Sequence, residues 1–203
     1  ILMDKKIWEY NPLNPQQLKD YDVSSYCYRH SRRDWKVSAY DKGYGINYDG
    51  DSRKPEYLID GEKKTNWSSG KINDKPLELP YYIIFDLNKV SDIDGVYLAN
   101  GYSNQCLADV HVEYIGSEVA DPYDINAPWE TLLQVTDPNV VRANLKNERF
   151  FDCPRTQARY LRLKISNPNT IVFKSDSDLT EEEKANQKKY HSFAEFGTYY
   201  KKP

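Results

Sequence analysis

Cysteine is scarce in this 203-residue chain, and the three present, Cys27, Cys106 and Cys153, lie far apart. No C-x-x-C pair occurs, so zinc and thioredoxin-like frameworks have no footing, while one disulfide and three free thiols both remain open. Long apolar runs are lacking as well, and none approaches the ~20 residues of a membrane-spanning helix. No charge sign dominates: 28 Lys and Arg stand against 31 Asp and Glu, with both signs interspersed. Nucleic acid and anionic membranes attract a concentrated basic face, so neither is expected as the main partner. G-x-S-x-G, P-loop and H-E-x-x-H motifs are all missing. The three histidines, His30, His111 and His191, are dispersed and read as surface or capping residues. Acid pairs such as Asp121 with Asp124 or Glu181 with Glu183 fall in surface loop or helix. We therefore expect no enzyme. The chain opens at Ile1 without a start Met or a charged-then-apolar leader, so we expect a piece of a longer protein.

What is present is sheet. Hydrophobic residues make up 39% and charged residues 29%, the balance of a globular domain with a substantial core. Tyrosine is abundant, with 18 residues against 6 Phe and 4 Trp, and its flat ring with a polar tip suits sheets and polar-ligand surfaces. Period-2 alternation begins at Trp35, where Trp35, Val37 and Ala39 share a face. YYIIFDL (81–87) and IDGVYLA (93–99) predict two further strands. In ADVHVEYI (108–115), Val110, Val112 and Tyr114 point in, His111 and Glu113 out. WETLLQV (129–135) and ERFFDC (148–153) follow. ARYLRLKI (158–165) buries Leu161, Leu163 and Ile165 and exposes Arg162 and Lys164. SFAEFGTYY (192–200) closes the chain. LTEEEKANQKKY places Thr180 as the N-cap of one short surface helix. Strands separated by polar loops predict an all-β antiparallel sandwich or jelly roll, two sheets packed around Trp67, Phe85 and Leu161. Residues 1–33 read as an N-terminal extension or linker packing on the domain, and 34–203 as one β-sandwich domain.

One stretch organises the rest: EYLIDGEKKTNWSS, residues 56–69. An Asp-Gly turn at Asp60–Gly61 supplies a carboxylate and inward carbonyls, and Thr65 supplies a hydroxyl. Hard cations take such all-oxygen shells, completed by a second carboxylate. Glu195, in the last strand, is the candidate.

These segments resemble the discoidin family, also called coagulation factor V/VIII C-type domains, and among them the bacterial family 32 carbohydrate-binding modules. WKVSA, LIDGEKKTNWSS, YYIIFDLNKVSDIDGVYLA, ADVHVEYI, ARYLRLKI and FAEFGTYY carry the resemblance in that order, over about residues 34–200. It implies a jelly-roll sandwich of galactose-binding-domain topology. It also implies a structural calcium ion held by Asp60, Thr65 and Glu195 side chains and by the carbonyls of Tyr57, Glu62 and Ala194. Trp67 looks like a family core residue.

The family implies a non-catalytic glycan-binding function at loops on one end of the sandwich, where aromatic rings stack on sugar C–H faces and polar side chains meet hydroxyls. The loops here offer Tyr44, Tyr48 and Arg53; Asn100, Tyr102, Asn104 and Gln105; and Phe173, Tyr190 and His191. Relatives often place an Arg where this chain has Asn100-Gly101-Tyr102. An adhesion or protein-interaction domain and a structural spacer are the alternatives. The resemblance implies an extracellular, periplasmic or cell-surface location within a multidomain chain.

Overall fold

In the computed structural model the described residues are 27–41, 53–100, 107, 109–124, 126–136, 148–169 and 178–201. Tyr44, Tyr48, Tyr102, Asn104, Gln105, Phe173 and Cys106 lie outside them, as do residues 1–26 and the side chain of Asn100.

The elements in order are β1 (Cys27–Arg29), β2 (Lys36–Asp41), a 3-10 turn (Pro55–Ile59), β3 (Trp67–Ser68), β4 (Lys71–Ile72), β5 (Lys75–Pro76), β6 (Tyr81–Asn100), β7 (Val110–Ile115), β8 (Glu130–Val135), β9 (Glu148–Ile165), α1 (Glu181–Gln187) and β10 (Ser192–Lys201). All pairings are antiparallel. The expected strands 81–87 and 93–99 are one continuous 20-residue element, and 148–153 with 158–165 form another of 18 residues. Each descends in one layer and returns in the other. The register between them slips between Asp86 and Ser91 and again between Ile93 and Gly95, which marks the corner. The same two strands therefore pair in both layers, on either side of the corner.

The first layer has the order β2, β6 (its first half), β9 (its second half), β7, β8. The second has β1, β10, β6 (second half) and β9 (first half), with β3 also on β10. Phe85 of the first layer stacks on Phe196 of the second, ring centroids 4.2 Å apart and planes at 16°. Trp35 meets Phe85 edge-on, and Trp67 sits between Tyr81 and Phe193. Trp67, Phe85 and Leu161 are fully buried, as the alternation required. Burying each such side chain contributes about 1.5–3 kcal/mol.

Helix α1 carries the expected N-cap. Thr180 Oγ1 accepts from Glu183 N at 3.1 Å, and Glu183 Oε2 accepts from Thr180 N at 2.7 Å, a reciprocal capping box. Among the described residues no helix is long and apolar enough to cross a membrane.

Two expectations need correction. Glu113 was expected outward in water, yet it is buried and pairs with Arg162 on β9 at 2.8 Å. Arg162, expected exposed, is largely covered, its guanidinium lying 4.5 Å from the centroids of both the Tyr82 and Trp129 rings. The cause is the chain between β7 and β8, which crosses the outer face of the first layer. There Tyr123 hydrogen-bonds across to Ser38 at 3.2 Å. Tyr114 is half-buried against the core, and its hydroxyl donates to Glu130. At the other edge, β1 falls within the segment read as an extension, and it pairs with β10 from Cys27↔Lys201 to Arg29↔Tyr199.

Candidate functional site

The outer edge of β10 is paired by β1 at residues 199–201 and by β3 at residues 192–193. Between them the strand edge is open to other groups, and the Asp60 turn docks there. Pro55 starts the 3-10 turn, its fixed φ suiting the first position, and Leu58 anchors the turn in the core. Gly61 adopts φ +82°, a left-handed conformation that glycine takes without penalty. The turn folds on itself: Asp60 Oδ1 accepts from Glu62 N at 2.8 Å, while Thr65 Oγ1 stands 2.5 Å from Asp60 Oδ2 and 3.0 Å from Glu62 O. One hydroxyl proton cannot serve both acceptors, so three oxygens are crowded together with a single hydrogen among them.

Glu195 faces this turn from β10 and is almost wholly buried. Its Oε2 accepts from Arg32 Nη1 at 2.5 Å. The same nitrogen lies 3.1 Å from Leu58 O and 2.9 Å from Phe196 O. Burial pushes the Glu195 carboxyl up to about 7; Arg32 pulls the other way, and the adjacent Asp60 carboxylate pushes it up further. Its second oxygen, Oε1, is buried and has no hydrogen-bond donor.

The second region is the end of the sandwich where the loops begin. Asp41, Tyr81 and Ile165 are in register in the first layer, next to Val110 and Val135; Asn100, Glu148 and Ser192 end the strands of the second. Trp67 touches both Tyr81 and Phe193, which puts these termini at one end. The connections after Asp41, Asn100, Val135 and Ile165 all leave from it.

A polar brace underlies this end. His191 is fully buried, its ring bonded by Nδ1 to the Tyr81 hydroxyl and by Nε2 to Asn167 O at 3.0 Å. The Tyr81 hydroxyl also lies 2.9 Å from Lys189 O, so its one proton faces two acceptors, that carbonyl and His191 Nδ1. Burial holds this imidazole down at about 4, so it is neutral. His191 and Ser69 exchange two further bonds, His191 N to Ser69 Oγ at 3.0 Å and Ser69 N to His191 O at 2.9 Å. Asn169 Nδ2 donates to Gln187 O at 3.1 Å and to Tyr190 O, tying the chain after β9 to the chain before β10. The expectation that His191 contacts ligand is thereby overturned: a side chain without solvent access braces the loops and cannot touch a sugar. Arg53 and Tyr190 are half-buried at this end, and Arg53 Nη1 donates to Ser68 Oγ at 3.2 Å.

A sequence model of the F5/8 type C domain matches residues 36–175. The chain belongs to the F5/8 type C family. Solved structures of the same fold include the C-terminal domain of a chitobiase from Bacteroides fragilis, 19% identical, with a TM-score of 0.58 over 86% of this chain and 97% of that one. The family 32 carbohydrate-binding module of NanJ from Clostridium perfringens, solved in complex with galactose, is 13% identical with a TM-score of 0.57, covering 86% and 99%. Chitosan-binding module 1 from a Paenibacillus chitosanase/glucanase is also 13% identical, with a TM-score of 0.57 over 85% and 98%. No curated protein matches the chain.

For an F5/8 type C domain, the Asp60–Glu195 pairing tests whether the residues suit a hard cation. The donor set fits: two facing carboxylates, one of which keeps a buried oxygen without a donor, and a hydroxyl. Among the described residues no three His, Cys, Asp or Glu side chains gather, so backbone carbonyls must complete any shell. Arg32 is the participant that sequence reading missed. Within Ser31-Arg32-Arg33-Asp34 it reads as part of a solvated basic turn, and only the fold brings it to Glu195, 163 positions away.

Proposed function

We propose that this F5/8 type C domain is a non-catalytic carbohydrate-binding module that grips glycan at the loop end. The observation that carries the reading is the departure of four connections from one end of a rigid sandwich, above the His191–Asn169 brace. Modules of this fold include one solved with galactose and one from Clostridium perfringens solved with GalNAc-beta-1,3-galactose. The contacts fall to Tyr44, Tyr48, Arg53, Asn100, Tyr102, Asn104, Gln105, Phe173 and Tyr190. A structural calcium ion accompanies the reading. Tyr57, Asp60, Glu62, Thr65, Ala194 and Glu195 hold it, and when bound it supplies a multi-oxygen cross-link between the turn and β10. The domain works outside the cell or at its surface, as a part of a larger glycan-processing protein. Calorimetric titration of the purified chain with galactose, N-acetylgalactosamine and chito-oligosaccharides tests the reading. Saturable binding to at least one, with no sugar released on prolonged incubation, is expected. Heat of dilution alone for all of them, or hydrolysis, overturns it.

A further inference from the structure

At the end of the sandwich opposite the loops, the corner of β6 and the chain after β1 enclose a cleft of about 230 Å3. Trp35 and Leu87, both almost completely buried, form its inner lining. Asn88 sits beside them in a left-handed turn, φ +68°, fixed by its N–H bond to Asp86 Oδ1 at 2.7 Å. The exposed Arg33 and Lys89 complete the cleft.

The charge at this cleft is unspent. Arg32, Arg155, Arg159 and Arg162 each pair with a carboxylate. Among the described residues neither the Arg33 guanidinium nor the Lys89 ammonium has an ion-pair partner. Asp34 also borders the cleft, which leaves one net positive charge. His30, bonded to Thr198 Oγ1 at 2.8 Å, adds no charge: burial lowers it to about 4, and Lys89 opposes its protonation. Free cations beside a narrow apolar edge suit a small polar ligand with one anionic group. The volume falls below that of drug-sized pockets and suits a single ring.

We propose that this cleft is a second binding site, taking the carboxylate or sulfate of a small acidic sugar. The site is independent of the loop end and of any ligand bound there. Arg33 and Lys89 hold the anionic group, and the ring lies in the cleft between Ser31, Asn88 and Ser91.

The test is an amide-shift titration of the 15N-labelled chain with D-glucuronate, with D-glucose 6-sulfate and with D-glucose. Saturable shifts at Ser31, Asn88, Ser91 and the Trp35 indole are expected from one or both acidic sugars and not from glucose. Which acidic sugar acts identifies the anionic group. The double variant Arg33→Ala/Lys89→Ala alters two exposed side chains and should bind about tenfold or more weakly while keeping its spectrum elsewhere. No shifts with either acidic sugar, equal shifts with glucose, or undiminished binding by the double variant would overturn the proposal.

Discussion

Arg32 Nη1 stands 2.5 Å from Glu195 Oε2 and reaches the carbonyls of Leu58 and Phe196 with the same nitrogen. One guanidinium thus joins the segment after β1, the 3-10 turn and β10. Both partners are shielded, with side-chain exposures of 14% and 2%. Removing Arg32 leaves the Glu195 carboxyl, already held near 7, to take up a proton rather than stay charged, and unmakes hydrogen bonds to three acceptors, at a cost of about 1–3 kcal/mol. Arg32→Ala should lose that much in urea unfolding at neutral pH. Arg32→Lys should recover only part, since an ammonium lacks the planar fork. A loss below about 1 kcal/mol would show that the pair is solvated.

The same carboxylate makes a second prediction. Calcium should raise the thermal midpoint and a chelator should lower it, because an ion that binds only the folded state stabilises by mass action, about 2.7 kcal/mol at a hundredfold excess over Kd. Asp60→Ala should abolish the calcium response while retaining a cooperative melt. Identical melting of the wild-type chain with calcium and with chelator would remove the ion from the account.

Acid should weaken the fold through His191. Its folded pKa lies near 4 because burial disfavours the imidazolium, whereas an unfolded histidine titrates near 6.5. Between those values the unfolded state binds the extra proton. The contribution is therefore fully present above about pH 6.5 and drains away as pH falls toward 4, by up to about 3 kcal/mol. Urea unfolding from pH 8 to pH 4 should show this decline; His30, lowered by burial to about 4 as well, contributes alike, so His191→Gln should remove only its own share. An unchanged slope in the variant would assign the decline to other groups.

Close packing on the outer face of the second layer gives a fourth prediction. Gly197 lies directly under the Tyr97 ring, and a Cβ there would overlap it. Gly197→Ala should cost about 1–3 kcal/mol through overpacking. A neutral outcome in urea unfolding would mean that the ring moves freely.

The β-sandwich is legible in the sequence because its inner faces alternate with period 2: Ile83, Phe85, Leu161, Leu163 and Phe196 reveal themselves by spacing alone. The corner of β6 does not. The sequence from Leu87 to Asp92 reads as a break between strands, and only the pairing with β9 shows one chain bending from layer to layer. The Asp60 turn is legible because its residues are local. Arg32, Glu113 and His191 are not, since each is a polar residue whose partner comes from a distant element. Local pattern assigns such residues to water; here Glu195, Arg162 and Tyr81 take them in.

A glycan array probed with the purified chain in calcium buffer tests the central claim most directly. The account predicts selective binding to a restricted set of glycans, abolished by alanine at Tyr102 with the thermal midpoint unchanged. Uniform absence of binding by a folded chain, or selective binding untouched by changes to the loop-end residues, would contradict it.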